Sequence, residues 1–512
     1  ITYIYSNPFD PSNPGAVYQQ WRSPSGPNPS DVRGGASTAS IEDAVFADFN
    51  LDGRPDGVAT ANEGENKDVK IHGLTHQGTW LGKELPGEGH LYMQVRVADI
   101  NGDGCADVVA GNKIAHPSPC FPGLNPDDRC DACDLIGITC DDVGGIWWWE
   151  CPKVNGQCAP FGPHFGDTPP VINTGNWNKR RIDSGFFWIM GLDLVDMDGD
   201  GDRDVLYSDR QEIGWFENRT SPAQGGNLEG WGTPIRIDTK ASILARKDGT
   251  GFESGQPFRF HAYDDVDGDG LKDVVVTASF SKGFCSITRN HECTVNADCP
   301  EGETCPNNGE RFAGYYYRRL DTWGRSWTIY PIFVKNGLPY GLDAEDDAKV
   351  SKGVAIGDLT GDGRKDLVFA VRGSGHALYL LSFQPASPGQ CGPCLDNEWD
   401  ARPIAPCRTR SKYDNVRLAD LDRDGRLDVV TTEENYESDT IPGTDSGLGV
   451  VWYRNLGFCG NGSVEGNEEC DNGALNGSAA QCCRSDCRFR VGEVCLASTG
   501  QCDAPEHCAW GS

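Results

Sequence analysis

A nine-residue motif that occurs six times constrains the fold of this chain more than any other feature. Positions 1, 3, 5 and 9 of the motif are Asp, apart from Asn50, Asn101 and Thr360, and position 6 is always Gly. The six copies, called loops 1 to 6 below, span 48–56, 99–107, 196–204, 265–273, 358–366 and 420–428. A short motif that recurs at long intervals is typical of repeat architectures, in which each repeat is one supersecondary unit.

Each loop lies between segments with strand-like composition. A small apolar segment such as 354–356 precedes it, and a β-branched run such as 274–277 follows it. An aromatic segment such as 147–149 comes next. Segments that begin with tryptophan lie upstream of the loops, near Trp21, Trp80, Trp177, Trp231, Trp327 and Trp399. We interpret the unit as Trp strand, apolar strand, Asp loop, β-branched strand and aromatic strand, which is the size of a propeller blade.

The predicted fold class is therefore all-β, a β-propeller of six four-stranded blades. A seventh blade, assembled from terminal segments such as 1–6, is left open by the sequence. The high content of glycine (65) and proline (31), with only three methionines, suits short strands and tight turns. We predict a propeller over 1–456, with cysteine-rich insertions at about 112–160 and 283–310. A small disulfide-stapled module is predicted over 457–512.

The six motifs resemble the FG-GAP/VCBS repeat family of calcium-loop β-propellers, which includes the integrin α-chain head and many secreted bacterial proteins. The resemblance covers roughly residues 15 to 456 and implies a propeller with calcium. It says little about function, because the family includes adhesins, lectins, structural proteins and a few enzymes. The segment 459–473 resembles a short cysteine-rich repeat at the ends of large secreted bacterial proteins, and 293–305 resembles a second small disulfide module.

The chemistry of the loop also predicts a calcium ion in each copy, about six sites. Calcium takes six to eight oxygen ligands, and alternate residues of a tight loop can reach one centre. Positions 1, 3, 5 and 9 would supply side-chain oxygens and position 7 a backbone carbonyl, while glycine at position 6 permits the turn. Without a cation, the packed carboxylates would repel one another. Thr360 offers only a hydroxyl, which predicts a weaker or water-completed site.

The predicted ligands follow from these positions. They are Asp48, Asn50, Asp52, Arg54, Asp56, Asp99, Asn101, Asp103, Cys105, Asp107, Asp196, Asp198, Asp200, Asp202, Asp204, Asp265, Asp267, Asp269, Leu271, Asp273, Asp358, Thr360, Asp362, Arg364, Asp366, Asp420, Asp422, Asp424, Arg426 and Asp428.

The formal net charge of −31 argues against nucleic acid and anionic membranes as partners, because both require a basic surface. No run of about 18 apolar residues is present, so membrane insertion is not expected. The chain begins at Ile1, and we expect a mature form from which an export signal has been removed.

The 22 cysteines form four clusters, which favours disulfides and an oxidising compartment, hence a secreted, extracellular or cell-surface location. Two clusters hold odd numbers, so complete pairing would require a bridge between clusters. Zinc is an alternative for the Cys-x-x-Cys pairs at 130–133 and 391–394, but a second pair at zinc-finger spacing is missing from both.

The sequence contains none of the common hydrolase, metalloprotease or phosphate-binding motifs. We therefore predict a non-enzymatic, calcium-binding structural or adhesive protein that self-associates into an oligomer or filament, or binds an extracellular glycan or cell-surface partner. A lectin-like propeller is the main alternative. A polysaccharide-active enzyme is the third, and would need a polar cluster at the propeller axis or in an insertion. Disulfide connectivity, assembly symmetry and use of the sequons at Asn218, Asn461 and Asn476 stay open.

Overall fold

The computed structural model of the chain is built almost entirely from antiparallel β-sheets. The structure describes residues 4–6, 19–21, 41–49, 57–62, 68–74, 80–86, 90–113, 144–160, 177–220, 228, 230–246, 258–278, 283–284, 292–293, 301, 312–334, 350–375, 378–382, 398–405, 408–423, 425–435, 449–455, 457 and 483. Strands β1 (Ile4–Ser6) and β2 (Gln19–Trp21) pair only with each other, so the N-terminal segment does not build a seventh blade within the described residues.

Blades 1 and 2 are four-stranded antiparallel sheets. Blade 1 comprises β3 (Ile41–Ala47), β4 (Gly57–Asn62), β5 (Val69–Leu74) and β6 (Trp80–Glu84). Blade 2 comprises β7 (Leu91–Ala98), β8 (Asp107–Lys113), β9 (Gly144–Glu150) and, after the small hairpin of β10 (Lys153–Val154) and β11 (Gln157–Cys158), β12 (Asn178–Phe186).

Blades 3 and 4 repeat this arrangement. Blade 3 comprises β13 (Gly191–Val195), β14 (Asp204–Ser208), β15 (Glu212–Phe216) and β16 (Ile235–Thr239). A short helix, α1 (Lys240–Arg246), follows, and the Thr239 hydroxyl caps it by accepting the Ser242 amide. Blade 4 comprises β17 (His261–Asp264), β18 (Asp273–Thr277) and, after the hairpin of β19 (Gly283–Phe284) and β20 (Glu292–Cys293), β21 (Phe312–Arg319) and β22 (Trp327–Val334).

Blades 5 and 6 complete the fold. Blade 5 comprises β23 (Val350–Gly357), β24 (Asp366–Gly375), β25 (Leu378–Ser382) and β26 (Glu398–Pro403). Blade 6 comprises β27 (Arg408–Ala419), β28 (Asp428–Asn435) and β29 (Gly449–Tyr453) within the described residues. The all-β class and the six-bladed propeller with four-stranded blades are thus confirmed.

The predicted phase of the repeat was wrong by one strand. The Trp-led strand does not open a blade but closes the preceding one: Trp80 in β6 pairs with Leu74 in β5, and β26 pairs with β25. The blade therefore begins with the apolar strand before the Asp loop. Composition indicates that the Trp-led segment is a strand. It does not indicate whether that segment pairs with the strand before it or with the strand after it in the sequence.

The range of the first predicted insertion, about 112–160, contains one strand of blade 2. Strand β9, the third strand of blade 2, lies inside that range and divides it into two excursions. One excursion leaves β8 and returns to β9, and the other joins β9 to β12. The second predicted insertion falls between β18 and β21 of blade 4.

Continuous apolar runs arise where both faces of a blade are covered. Successive residues of a strand point to opposite faces of its sheet. In β9, Trp147 and Trp149 pack into one core with Phe49, while Trp148 packs into another with Phe216. The Trp triplet thus serves the packing on both sides of blade 2.

The chain divides into two compact units. The first contains 1–261, 276–305 and 317–329, with two cores centred on blades 1 and 2 and on blades 2 and 3. The second contains 262–275, 306–316 and 330–512, with one core that includes Tyr316, Phe369, Tyr379 and Trp399. Across the described residues, no helix has the length and apolar character needed to cross a membrane.

Candidate metal centres in the repeated loops

Each Asp-rich loop joins the first strand of a blade to the second. Loops 2 to 6 connect β7 to β8, β13 to β14, β17 to β18, β23 to β24 and β27 to β28. Loops 2 to 5 are described completely. The predicted ligands Asn50, Asp52, Arg54, Asp56 and Asp424 lie outside the described residues.

The carboxylate at position 1 organises the turn from within. In loop 3, Asp196 Oδ1 accepts the Gly199 amide at 2.7 Å and Oδ2 accepts the Gly201 amide at 3.1 Å. Asp265 and Asp358 accept the equivalent pair in loops 4 and 5. Both glycines of loop 3 have positive φ angles of 82° and 96°, which side chains disfavour.

Position 4 of loop 6 departs from this pattern. Arg423 occupies it with a φ angle of 62°, where loops 2 to 5 use glycine. An arginine in this left-handed backbone conformation is less favourable than a glycine. The backbone conformation of loop 6 is therefore stabilised by the other contacts of the loop.

The carboxylate at position 9 is buried and ties the loop to the rest of the blade. Asp204 Oδ2 accepts the Met197 amide at 2.7 Å, and Oδ1 accepts the Asn218 amide at 2.8 Å. Asp428 accepts the amides of Leu421 and Asn455 in the same way. Desolvation raises the pKa of Asp204 to about 8 despite these hydrogen bonds. Burial likewise raises the pKa of the equivalent residues in loops 2, 5 and 6, namely Asp107, Asp366 (to about 6) and Asp428.

Three loops bring acidic oxygens together at the spacing of a calcium coordination shell. In each, three carboxylate oxygens lie within 4.8 Å of one another; the residues are Asp196, Asp198 and Asp204, then Asp265, Asp267 and Asp269, then Asp420, Asp422 and Asp428. Calcium–oxygen bonds of about 2.3–2.6 Å place opposite ligands roughly 5 Å apart, so these residues fit the ion.

Loops 2 and 5 bring no three acidic oxygens this close within the described residues. Both carry a neutral side chain at position 3. In loop 5, the Thr360 hydroxyl donates a hydrogen bond to Asp366 Oδ2 at 3.1 Å. Thr360 at position 3 therefore binds the carboxylate of Asp366, and loop 5 offers fewer oxygen ligands to a metal.

Burial and mutual repulsion both disfavour ionised carboxylates in loop 3. Burial, followed by the charge of Asp200, raises the pKa of Asp198. Burial and the charges of Asp200 and Asp198 raise the pKa of Asp202 to about 7. Asp202 is the only acidic residue at position 7 of the six loops. A bound cation would relieve this repulsion, which is the physical case for a metal in loop 3.

An asparagine clasp, which we define as Asn218 in blade 3 and Asn455 in blade 6, links neighbouring loops. Asn218 Nδ2 donates to Ile100 O of loop 2 at 2.7 Å and to Arg203 O of its own loop at 3.0 Å. Asn455 Nδ2 donates to Leu359 O of loop 5 at 2.9 Å and to Leu427 O of its own loop at 3.1 Å.

Sequence reasoning missed this clasp, although a signal was present. Both residues follow the aromatic strand in the pattern Trp-aromatic-x-Asn, at 215–218 and 452–455. Asn218 also begins a sequon, but it is buried, with 1% of its surface exposed. In blade 4, Arg319 donates to Met197 O of loop 3, so the same backbone acceptor of the preceding loop is used.

A charged network, called the first-strand network here, joins the first strands of blades 1 to 4. Arg96 in β7 pairs with Asp43 in β3 at 2.5 Å and with Asp193 in β13 at 3.0 Å. His261 in β17 approaches Asp193 at 3.3 Å. Burial opposes ionisation of Asp193, but Arg96 and then His261 hold its pKa well below the ordinary value. The network ties consecutive blades by charge.

Ser208 extends this network into a Ser-His-Asp arrangement. Its Oγ lies 3.0 Å from His261 Nδ1 and donates to Arg259 O. A hydrolase would need such a serine to be accessible to substrate. Ser208 has no exposed surface, so its hydroxyl serves the packing of β14 against β17.

Cysteines stabilise the periphery of blade 2. Cys105 and Cys158 form a disulfide, and Cys483 is also disulfide-bonded. Cys151 is a free, buried thiol, so the cysteines of the first cluster do not all form disulfides. The Cys-x-x-Cys pairs at 130–133 and 391–394 lie outside the described residues.

Comparisons with known proteins agree with the repeat pattern over part of the chain. The family model described as FG-GAP-like repeat matches residues 48–110, which contain loops 1 and 2. No curated protein matches the chain. Among solved structures, the Dos1 propeller is similar over 84% of this chain and 69% of its own, with 8% identity and a TM-score of 0.36.

Proposed function

We propose that the protein is a secreted calcium-binding β-propeller with a structural or adhesive role, in which calcium stabilises the blades and the chain works by binding and not by catalysis. The observation that carries this proposal is the recurrence of an acidic cluster in three loops of the same motif, each with three carboxylate oxygens within 4.8 Å of one another. Like charges at that distance need a cation to stabilise them.

Calcium binding is tested by metal content and by thermal unfolding. The protein, dialysed against calcium and then against EDTA, is measured by elemental analysis and by differential scanning fluorimetry. Each independent site contributes about 1.4 kcal/mol when free calcium is tenfold above its dissociation constant, so several sites should shift the midpoint clearly. No bound calcium and an unchanged midpoint in EDTA would contradict the proposal.

Secretion is supported by the disulfides of Cys105 with Cys158 and of Cys483. Disulfides persist in oxidising compartments. We further propose that 457–512 forms a disulfide-stapled module after the propeller. Mass spectrometry of the unreduced, protease-digested protein should find its cysteines oxidised; free thiols throughout would overturn this part.

Self-association is part of the same proposal. Light scattering and negative-stain microscopy, with calcium and then with EDTA, should find oligomers or filaments that are lost on chelation. A monodisperse monomer in calcium would remove the assembly role and leave the calcium proposal standing.

A glycan-binding propeller is the second candidate, and one exposed side chain favours it. Trp323 lies on the turn between β21 and β22 with 61% of its surface exposed. The turn is rigid: Asp321 Oδ1 accepts the amides of Trp323 and Arg325, and Gly324 O accepts the indoles of Trp215 and Trp327. An exposed indole on a turn whose backbone is held by hydrogen bonds is a suitable platform for stacking a sugar ring.

This candidate is tested by a glycan array with the wild type and with Trp323→Ala. Binding in calcium that is lost in the variant would support a sugar site at this turn. Val450→Ala is the matched control, because Val450 is 66% exposed on β29 of blade 6. Equal binding by the wild type and both variants would exclude Trp323.

A further inference from the structure

A positively charged side chain from outside loop 6 pairs with an aspartate of this loop. Arg454 follows β29, and its Nε donates to Asp422 Oδ2 at position 3 of the loop. The Asp422 side chain is completely buried, whereas that of Arg454 is 39% exposed. A buried carboxylate without a partner is strongly disfavoured, so this ion pair supports the loop directly.

A second positively charged side chain, from the hairpin that follows β9, pairs with an aspartate of loop 2. Lys153 in β10 lies 3.3 Å from Asp103 Oδ2 and also donates to the backbone carbonyl of Asp103. The hairpin that carries Lys153 turns at Asn155 and Gly156, both with positive φ angles. The disulfide between Cys105 and Cys158 joins position 7 of the loop to the end of this hairpin. The hairpin that carries the Lys153 ammonium group is therefore attached covalently to the loop.

Loop 3 has the opposite arrangement at the corresponding place. The residue before the clasp asparagine is Glu217 in blade 3, where blade 6 has Arg454. Glu217 pairs with Arg219 at 2.7 Å and with Arg325 at 3.4 Å. Arg219 also feels the charge of Asp198, which contributes to its raised pKa, but among the described residues its direct ion pair is with Glu217 and not with a loop 3 carboxylate.

We propose that Arg454, beside loop 6, and Lys153, beside loop 2, act as tethered cations, that is, positively charged side chains of the protein itself. They supply part of the positive charge that calcium would otherwise provide. These two loops then keep their conformation without metal and bind calcium more weakly than loop 3. The inference rests on the proposed calcium function, and it divides the sites into two classes that the sequence motif does not distinguish.

The physical reason is competition for the same oxygens. A calcium ion that binds loop 6 must displace Arg454 from Asp422 or bind beside a like charge. Removing the tethered cation should therefore raise calcium affinity at that loop. We expect about a tenfold gain for loop 6, where the carboxylate is buried, and about threefold for loop 2, where Lys153 is partly screened by solvent.

The test uses the full chain with Arg454→Met and Lys153→Met. Calcium binding is titrated calorimetrically, and hydrogen exchange of each loop is followed by mass spectrometry with calcium and with EDTA. In the wild type, the amides of loop 3 should lose protection in EDTA while those of loops 2 and 6 keep it. In each variant, the altered loop should become calcium-dependent and bind more tightly.

Arg402→Met is the matched control. Arg402 is exposed on β26, so this substitution removes the same charge at a position outside the loops. Arg454→Lys keeps the charge and should preserve the wild-type pattern, which separates a charge effect from misfolding. Equal loss of protection in all loops, or unchanged affinity in both methionine variants, would overturn the inference. If no loop responds to calcium, the proposed calcium function itself has failed.

Discussion

Loops 3 and 6 share one backbone frame but differ in charge. In both, the position 1 aspartate accepts the amide of position 6, at 3.1 Å from Gly201 and 2.9 Å from Gly425. In both, the position 9 aspartate accepts the amide of position 2, and a clasp asparagine follows the aromatic strand. Three positions differ in charge: position 4 is Gly199 or Arg423, position 7 is Asp202 or Arg426, and the residue before the clasp is Glu217 or Arg454. Hydrogen bonds from backbone amides to aspartate side chains thus set the shared frame, and the proposal above implies that the neighbouring charges decide how strongly each loop requires a metal.

The largest expected effect is the response of loop 3 to pH in the absence of metal. Burial raises the pKa of Asp204 to about 8, far above that of an unfolded aspartate. The folded protein therefore binds more protons than the unfolded chain between roughly pH 4 and pH 8. Stability in EDTA should fall as pH rises through this window, by about 3 kcal/mol between pH 5 and pH 8.

Urea unfolding in EDTA at several pH values measures this slope. Asp204→Asn should flatten it, since the amide does not titrate, and calcium should abolish it. A wild-type protein whose stability in EDTA rises from pH 5 to pH 8 would show that Asp204 is ionised in the folded state and that the comparison is wrong.

The next effect tests the shared frame. Asn218→Ala and Asn455→Ala each remove two hydrogen bonds to buried carbonyls. Each should lower the free energy of unfolding by about 2–3 kcal/mol, with or without calcium. Asn178→Ala, at an exposed asparagine of β12, should cost less than about 0.5 kcal/mol. Clearly unequal losses at the two clasps would break the equivalence of the two frames.

The smallest effect is an exchange of charge between the two loops. Glu217→Arg should stabilise the protein in EDTA, and Arg454→Glu should destabilise it, each by about 1 kcal/mol after allowance for solvent screening. Chemical denaturation with and without calcium measures both changes. The same sign in both variants would mean that the residue before the clasp does not set the charge of the loop.

The parts of the site that are local in sequence could be predicted. In loops 2 to 5, an Asp at position 1 and glycines three and five residues later determine a turn that closes on itself, so the loop geometry follows from nine residues. The strand content followed from β-branched and aromatic runs such as 274–277 and 147–149.

The parts that depend on distant residues could not be predicted. Arg454 reaches Asp422 and Lys153 reaches Asp103 across tens of residues, and nothing in the motif marks them as partners. The phase of the blade failed for the same reason, because the pairing of the Trp-led strand is a tertiary choice. The first-strand network needs four blades to be placed side by side before its charges meet.

That network restricts how such a chain can change by gaining or losing repeats. Along blades 1 to 4, the charged residues alternate as acid, base, acid and base: Asp43, Arg96, Asp193 and His261. Deleting blade 2 would place Asp43 against Asp193 and remove the arginine with which both carboxylates pair. Blade 2 therefore cannot be lost from such a chain without bringing two carboxylates together, so the charges of the first strands restrict which repeats can be removed even though every repeat has the same fold.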